Sequence, residues 1–158
     1  MTDPEITGYL LQQADDIDYA SLELPLLSKL ATQLEDPFIA TSALGQLARR
    51  DREAAARAAE QILDGSRGDR HLVAFALTVL FERDPASGIR WMTRLGPSCE
   101  DPTILEAMLE NVLGDAERFA EHAELVRAIA RRVTALTREQ FSDPEMRDRF
   151  VARFGGTA

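Results

Sequence analysis

Four aspartates, Asp3, Asp36, Asp69 and Asp101, stand 33, 33 and 32 residues apart. Each opens a segment that reaches a second aspartate: Asp18, Asp51, Asp84 and Asp115. An internal period near 33 predicts an array of helical hairpins, none able to bury its apolar face alone. Three residues after the first aspartate stand Ile6, Ile39, Leu72 and Ile104, and seven after it Leu10, Ala43, Ala76 and Met108. Eight after it come Leu11, Leu44, Leu77 and Leu109, and eleven after it Ala14, Leu47, Leu80 and Val112. These offsets share one face of an α-helix, so each segment is predicted to begin with an amphipathic helix of about three to four turns.

The first aspartates read as N-caps, because a side-chain carboxylate there accepts the unpaired amides of the first turn. Pro4, Pro37 and Pro102 follow directly, where a missing N–H costs least. The second aspartates predict a second helix in each hairpin. Ala55, Ala58, Ala59 and Ile62 follow Asp51; Ile89, Trp91, Met92 and Leu95 follow Asp84; Phe119, Ala120, Ala123, Val126, Ala130 and Val133 follow Asp115. In the first segment Leu22, Leu26, Leu27, Leu30 and Leu34 are less regular, with Pro25 starting or kinking the helix. Gly65, Gly68 and Gly96-Pro97 mark stops. A fifth start, Asp143-Pro144, leads Met146, Phe150, Val151 and Phe154 and predicts a single capping helix. Leu72–Phe81 is apolar nearly all round, so its helix should be the most enclosed. No window alternates with period two, so no sheet is expected.

The wording of residues 36–64 resembles a short bacterial HEAT-type repeat: Asp36-Pro37-Phe38-Ile39, then Ala43-Leu44-Gly45, Leu47, Asp51, Ala55 and Ile62. The resemblance implies an all-α, right-handed α-solenoid of about four hairpins plus a C-terminal cap. The whole chain, 1–158, then forms one HEAT-like domain with repeats near 3–35, 36–68, 69–100 and 101–134 and a cap at 143–154. It also implies that second helices line a concave groove. Groove candidates on that basis are Arg57, Glu60 and Gln61, then Arg90 and Arg94, then Glu117, Glu121 and Glu124.

The formal charge is −9, which opposes unspecific binding to nucleic acid or anionic membrane. Residues 1–36 hold eight acids against one lysine, Lys29, and Asp15, Asp16, Asp18 and Glu23 concentrate that acidic pole. It reads either as a solubilising end or as a landing site for a basic partner. Trp91, the sole tryptophan, lies on an apolar stripe; core packing and a part-exposed groove anchor both fit it. His71 and His122 belong to no helical metal motif, and Cys99 sits beside Glu100 and Asp101, which oppose a reactive thiolate. No phosphate-loop, dinucleotide or nucleophile-elbow motif occurs, so no catalytic, cofactor or metal residue is assigned. The amino terminus lacks a secretory pattern and the apolar runs are short, so a cytoplasmic location is expected. The function expected is a non-catalytic protein-binding module, within which a bacterial immunity or inhibitor protein fits the size and charge. The alternatives are a nucleic-acid-processing enzyme on a helical-repeat scaffold and a homo-oligomeric assembly protein. Oligomeric state is not written in the sequence.

Overall fold

A computed structural model describes residues 4–33, 35–65 and 69–157. Asp3, Leu34 and Gly68, to which the periodicity assigns a cap, an apolar position and a stop, lie outside them. The described residues are all-α, with no strand among them. The chain divides into two compact units, Met1–Asp84 and Pro85–Ala158. None of its described helices is long and apolar enough to cross a membrane.

The first unit holds α1 (Pro4–Leu10), α2 (Leu24–Thr32), α3 (Pro37–Arg50), α4 (Arg52–Gly65) and α5 (Arg70–Arg83). Asp36 Oδ1 accepts the amides of Phe38 and Ile39 at 3.0 and 3.1 Å, and Asp69 Oδ1 those of His71 and Leu72 at 2.8 and 3.3 Å. Asp51 does two jobs. Its amide closes α3 on Leu47 O at 2.7 Å, and its carboxylate caps α4 through Glu53 N and Ala54 N. Each helix packs on its neighbour in sequence, α2 also meets α4, and α3 also meets α5. Leu27, Leu30, Leu44, Leu47 and Leu63 are fully buried between them, each contributing about 1.5–3 kcal/mol. On α5, residues as far apart around the helix as Val73, Leu77, Val79 and Phe81 are all buried, as its apolar circumference predicts. Lys29 ties α2 to α1 through Glu5, and Arg50 Nη1 holds the Leu22 carbonyl at 2.6 Å.

The start of this unit departs from the repeat. The first helix stops at Leu10, after about two turns, and Leu11 is 86% exposed rather than on the buried face. A helix of the length of α3 would end at Ile17 with Asp15 and Asp16 in its last turn, an unfavourable place beside the negative end of the dipole, whereas α3 carries Arg49 and Arg50 there. The chain instead makes two short 3₁₀ turns, Ala14–Asp16 and Tyr19–Ser21. Asp18 precedes the second of them and caps no α-helix; α2 waits for Glu23 and for Pro25 in its first turn.

The second unit holds α6 (Pro85–Leu95), α7 (Pro102–Gly114), α8 (Ala123–Thr134) and α9 (Pro144–Phe154). Asp101 caps α7 through Thr103 N and Ile104 N, and Asp143 caps α9 through Met146 N. The turn Gly96–Ser98 ends α6 as Gly96-Pro97 predicts, and Gly96 is buried against Ile129, Leu125 and Met108. Arg132 reaches back from α8 to the carbonyls of Cys99 and Ser98 and pairs with Glu100 at 3.2 Å. The capping helix α9 packs on both α7 and α8 with Phe150 fully buried and Met146 nearly so. Glu106 on α7 holds Ser142 by backbone N–H and hydroxyl, fixing the approach to α9.

Asp115 does not start a helix. Residues 115–121 run as successive turns, with Arg118 N bonded to Asp115 O and Phe119 N to Ala116 O, and α8 begins only at Ala123. The Asp115 carboxylate is taken by Arg118 Nε at 2.7 Å, and Phe119 is turned in to 2% exposure. The buried face of α8 is consequently Leu125, Val126, Ala128, Ile129, Ala130 and Val133, while Ala120 and Ala123 are exposed.

Candidate functional site

In the first unit an open depression of about 580 Å³ lies where two helix N-termini meet the loop after α1. Gln12 and Asp15 line it from that loop, Asp36 and Phe38 from the start of α3, and Asp69 and His71 from the start of α5. Its charge is acidic, as is that of its surroundings: residues 1–84 hold fifteen acids against eight bases. Phe38 is 76% exposed on its rim. Together with Leu11, one residue before the lining Gln12, it is a large apolar side chain left in water. The sequence carried a signal for Phe38 that the apolar stripe hides. It stands two residues after the capping aspartate, off the offsets 3, 7, 8 and 11 that face the core. His71 occupies the same place in the next repeat and lines the same hollow.

Near three of its lining residues, Ser42, Asp36 and Asp15, sits Tyr19. Its hydroxyl is shut from solvent without a well-formed hydrogen bond. Burial pushes the phenol pKa up, Ser42 close by offsets part of the rise, and the carboxylates of Asp36 and Asp15 add to it. Of the acidic-pole residues read from the sequence, only Asp15 lines the hollow; Asp16, Asp18 and Glu23 are exposed around it in the 3₁₀ segment and before α2. Arg57, Glu60 and Gln61 lie on α4 and do not line it; Arg57 pairs one turn back with Glu53 at 3.6 Å.

In the second unit two adjoining hollows of about 350 and 410 Å³ share Thr93 and run between α6 and α8. Arg90 and Thr93 line them from α6, His122 from the residue before α8, and Glu124, Arg127 and Arg131 from α8. Two of the groove residues read from the sequence, Arg90 and Glu124, meet here. Arg94 does not line the groove; its guanidinium lies 4.9 Å over the Trp91 ring. Trp91 is half-buried, between the two roles the sequence left open. Glu117 and Glu121 are exposed in the turn before α8, not on a helix. Arg127 and Arg131 were not read as groove residues, because their place depends on how α6 and α8 approach each other.

Burial, first of all, pushes the Cys99 thiol pKa up, and Asp101 and Glu100 add to that against Arg132. The thiol is therefore protonated near neutrality. Among the described residues no three His, Cys, Asp or Glu side chains gather in a metal-holding cluster. Both surfaces are open and mix polar with apolar side chains. Comparison with protein-family models, curated proteins and solved structures returns no significant match.

Proposed function

We propose that this chain is a HEAT-like helical-repeat module that binds one protein partner and performs no chemistry on it. The repeat reading draws support from the first unit, where helices meet both their sequence neighbours and the next helix of the same rank, α2 with α4 and α3 with α5. That is the contact pattern of stacked hairpins. On this reading the helices belong to a right-handed α-solenoid of four hairpins closed by α9.

One observation carries the binding role: an exposed aromatic on the rim of an acidic depression. Phe38 supplies apolar area, and Asp15, with the acidic segment around it, supplies attraction that speeds encounter with a basic surface. The partner is a basic protein that inserts an apolar side chain beside Phe38. An antagonist of immunity type, covering the working surface of a basic nucleic-acid-handling protein, is the role that best fits this chemistry.

Titration with a fluorescent lysine–leucine peptide tests the reading. The chain binds it saturably, salt weakens the complex, and Phe38→Ser and Asp15→Lys each weaken it by about tenfold. Both residues are exposed, so neither change threatens the fold. Binding indifferent to Phe38 overturns the proposal. Saturable binding of duplex DNA in place of the peptide moves the protein to the nucleic-acid-processing class.

A further inference from the structure

We infer that the groove between α6 and α8 is a second docking site, opposite in sign to the first, which takes an acidic polypeptide segment bearing apolar side chains. The chain as a whole is acidic, yet three arginines, Arg90, Arg127 and Arg131, line this one groove against a single carboxylate, Glu124. Arg90 is held in place by the Ser87 hydroxyl at 2.7 Å. The guanidinium groups of Arg127 and Arg131 make no hydrogen bond or ion pair among the described residues, and Glu124, one turn before Arg127, pairs with neither.

Two unpaired like charges one turn apart on a helix destabilise it. In a protein with acids to spare, pairing them internally would be easy. Both instead line a hollow with Pro97 and Leu125, and Ile89 lines the adjoining one. Arginine is the residue suited to hold a carboxylate in both geometry and charge.

The spacing narrows the ligand. Arg127 and Arg131 are four residues apart on α8, an axial separation of about 6 Å. Carboxylates two residues apart on an extended peptide, at about 6.6 Å, match it. Apolar side chains of the same segment, beyond the two carboxylates, then meet Pro97 and Leu125. A nucleic acid strand offers similar charge spacing but brings a continuous polyanion toward a chain of charge −9. A short acidic segment meets only the local field of the groove.

Fluorescence anisotropy of the full chain with a labelled glutamate–leucine peptide provides the test. The same peptide with glutamine for glutamate and a labelled oligothymidylate serve as comparisons. The glutamate peptide is expected to bind saturably and the glutamine peptide about tenfold more weakly. Arg127→Ala/Arg131→Ala loses about tenfold in affinity, while Arg52→Ala/Arg149→Ala, with the same change in net charge at exposed places outside the groove, does not. Glu124→Gln tightens the complex. Arg127→Glu/Arg131→Glu rejects the glutamate peptide and accepts a lysine–leucine peptide even when Phe38→Ser has disabled the first site. Equal losses in the two arginine pairs overturn the inference, and so does tighter binding of the oligothymidylate than of the peptide. The basic peptide reports on the depression around Phe38 and the acidic one on this groove, so either site can fail without the other.

Discussion

Asp51 and Asp115 begin from the same cue and end in different structures. Both close a helix with their backbone amide, on Leu47 O at 2.7 Å and Asn111 O at 3.2 Å. Beyond that they diverge. Three and four residues after Asp51 stand Ala54 and Ala55; after Asp115 the same places hold Arg118 and Phe119. Alanine leaves the carboxylate to the amides of the first turn, and α4 starts at once. At Asp115 the guanidinium of Arg118 competes for that carboxylate and wins it. Phe119 then brings a large apolar group that the seven-residue turn tucks into the unit. An aspartate at a repeat boundary is thus an offer of a cap. The side chains one turn later decide whether the offer is taken.

The sharpest way to break this comparison is to remove the plug. Phe119→Ala is expected to destabilise the second unit by about 3–5 kcal/mol in a urea melt, since it empties a nearly closed site. A loss below about 1 kcal/mol would mean that the turn does not depend on Phe119. Next come the two carboxylates themselves. Asp51→Ala removes a true cap and is expected to cost about 0.5–2 kcal/mol. Asp115→Ala removes only a half-exposed ion pair with Arg118, for about 0–1 kcal/mol. Equal costs for the two variants would erase the distinction drawn between the junctions.

Much of the fold was legible because capping is local. Asp36, Asp69, Asp101 and Asp143 each cap the helix that the periodicity places after them. The α4 stripe Ala55, Ala58, Ala59 and Ile62 is buried as read. What escaped is what depends on competition or on approach. The early stop of α1 keeps Asp15 and Asp16 out of a helix C-terminus, a charge preference that an apolar pattern does not weigh. The choice at Asp115 turns on Arg118 and Phe119, one turn later in the chain. Of the depression around Phe38 only the acidic end was read, through Asp15; Phe38 itself entered only in the wording of the repeat. The pairing of Arg127 and Arg131 with Arg90 needed the packing of α8 beside α6. Like charges on one helix read equally well as a solvated face.

The smallest expected effect separates the two units by pH. Cys99 in the second unit and Tyr19 in the first both hold their protons more tightly when folded than their ordinary values of 9.0 and 10.0. Below 9.0 both the folded and the unfolded chain keep the thiol proton, so its contribution is fully present. As pH climbs past 9.0 the unfolded chain sheds the proton first, and linkage draws the equilibrium toward it. The phenol repeats this from 10.0 upward. Melts followed from pH 8 to 11 are therefore expected to fall above 9.0 and further above 10.0. Cys99→Ala is expected to lessen the decline that begins at 9.0, and Tyr19→Phe the decline that begins at 10.0. If Cys99→Ala leaves the decline above 9.0 unchanged, the thiol is not held in the half-buried site between α6 and α7. The junction that Arg132 clasps would then be looser than its hydrogen bonds to the Cys99 and Ser98 carbonyls require.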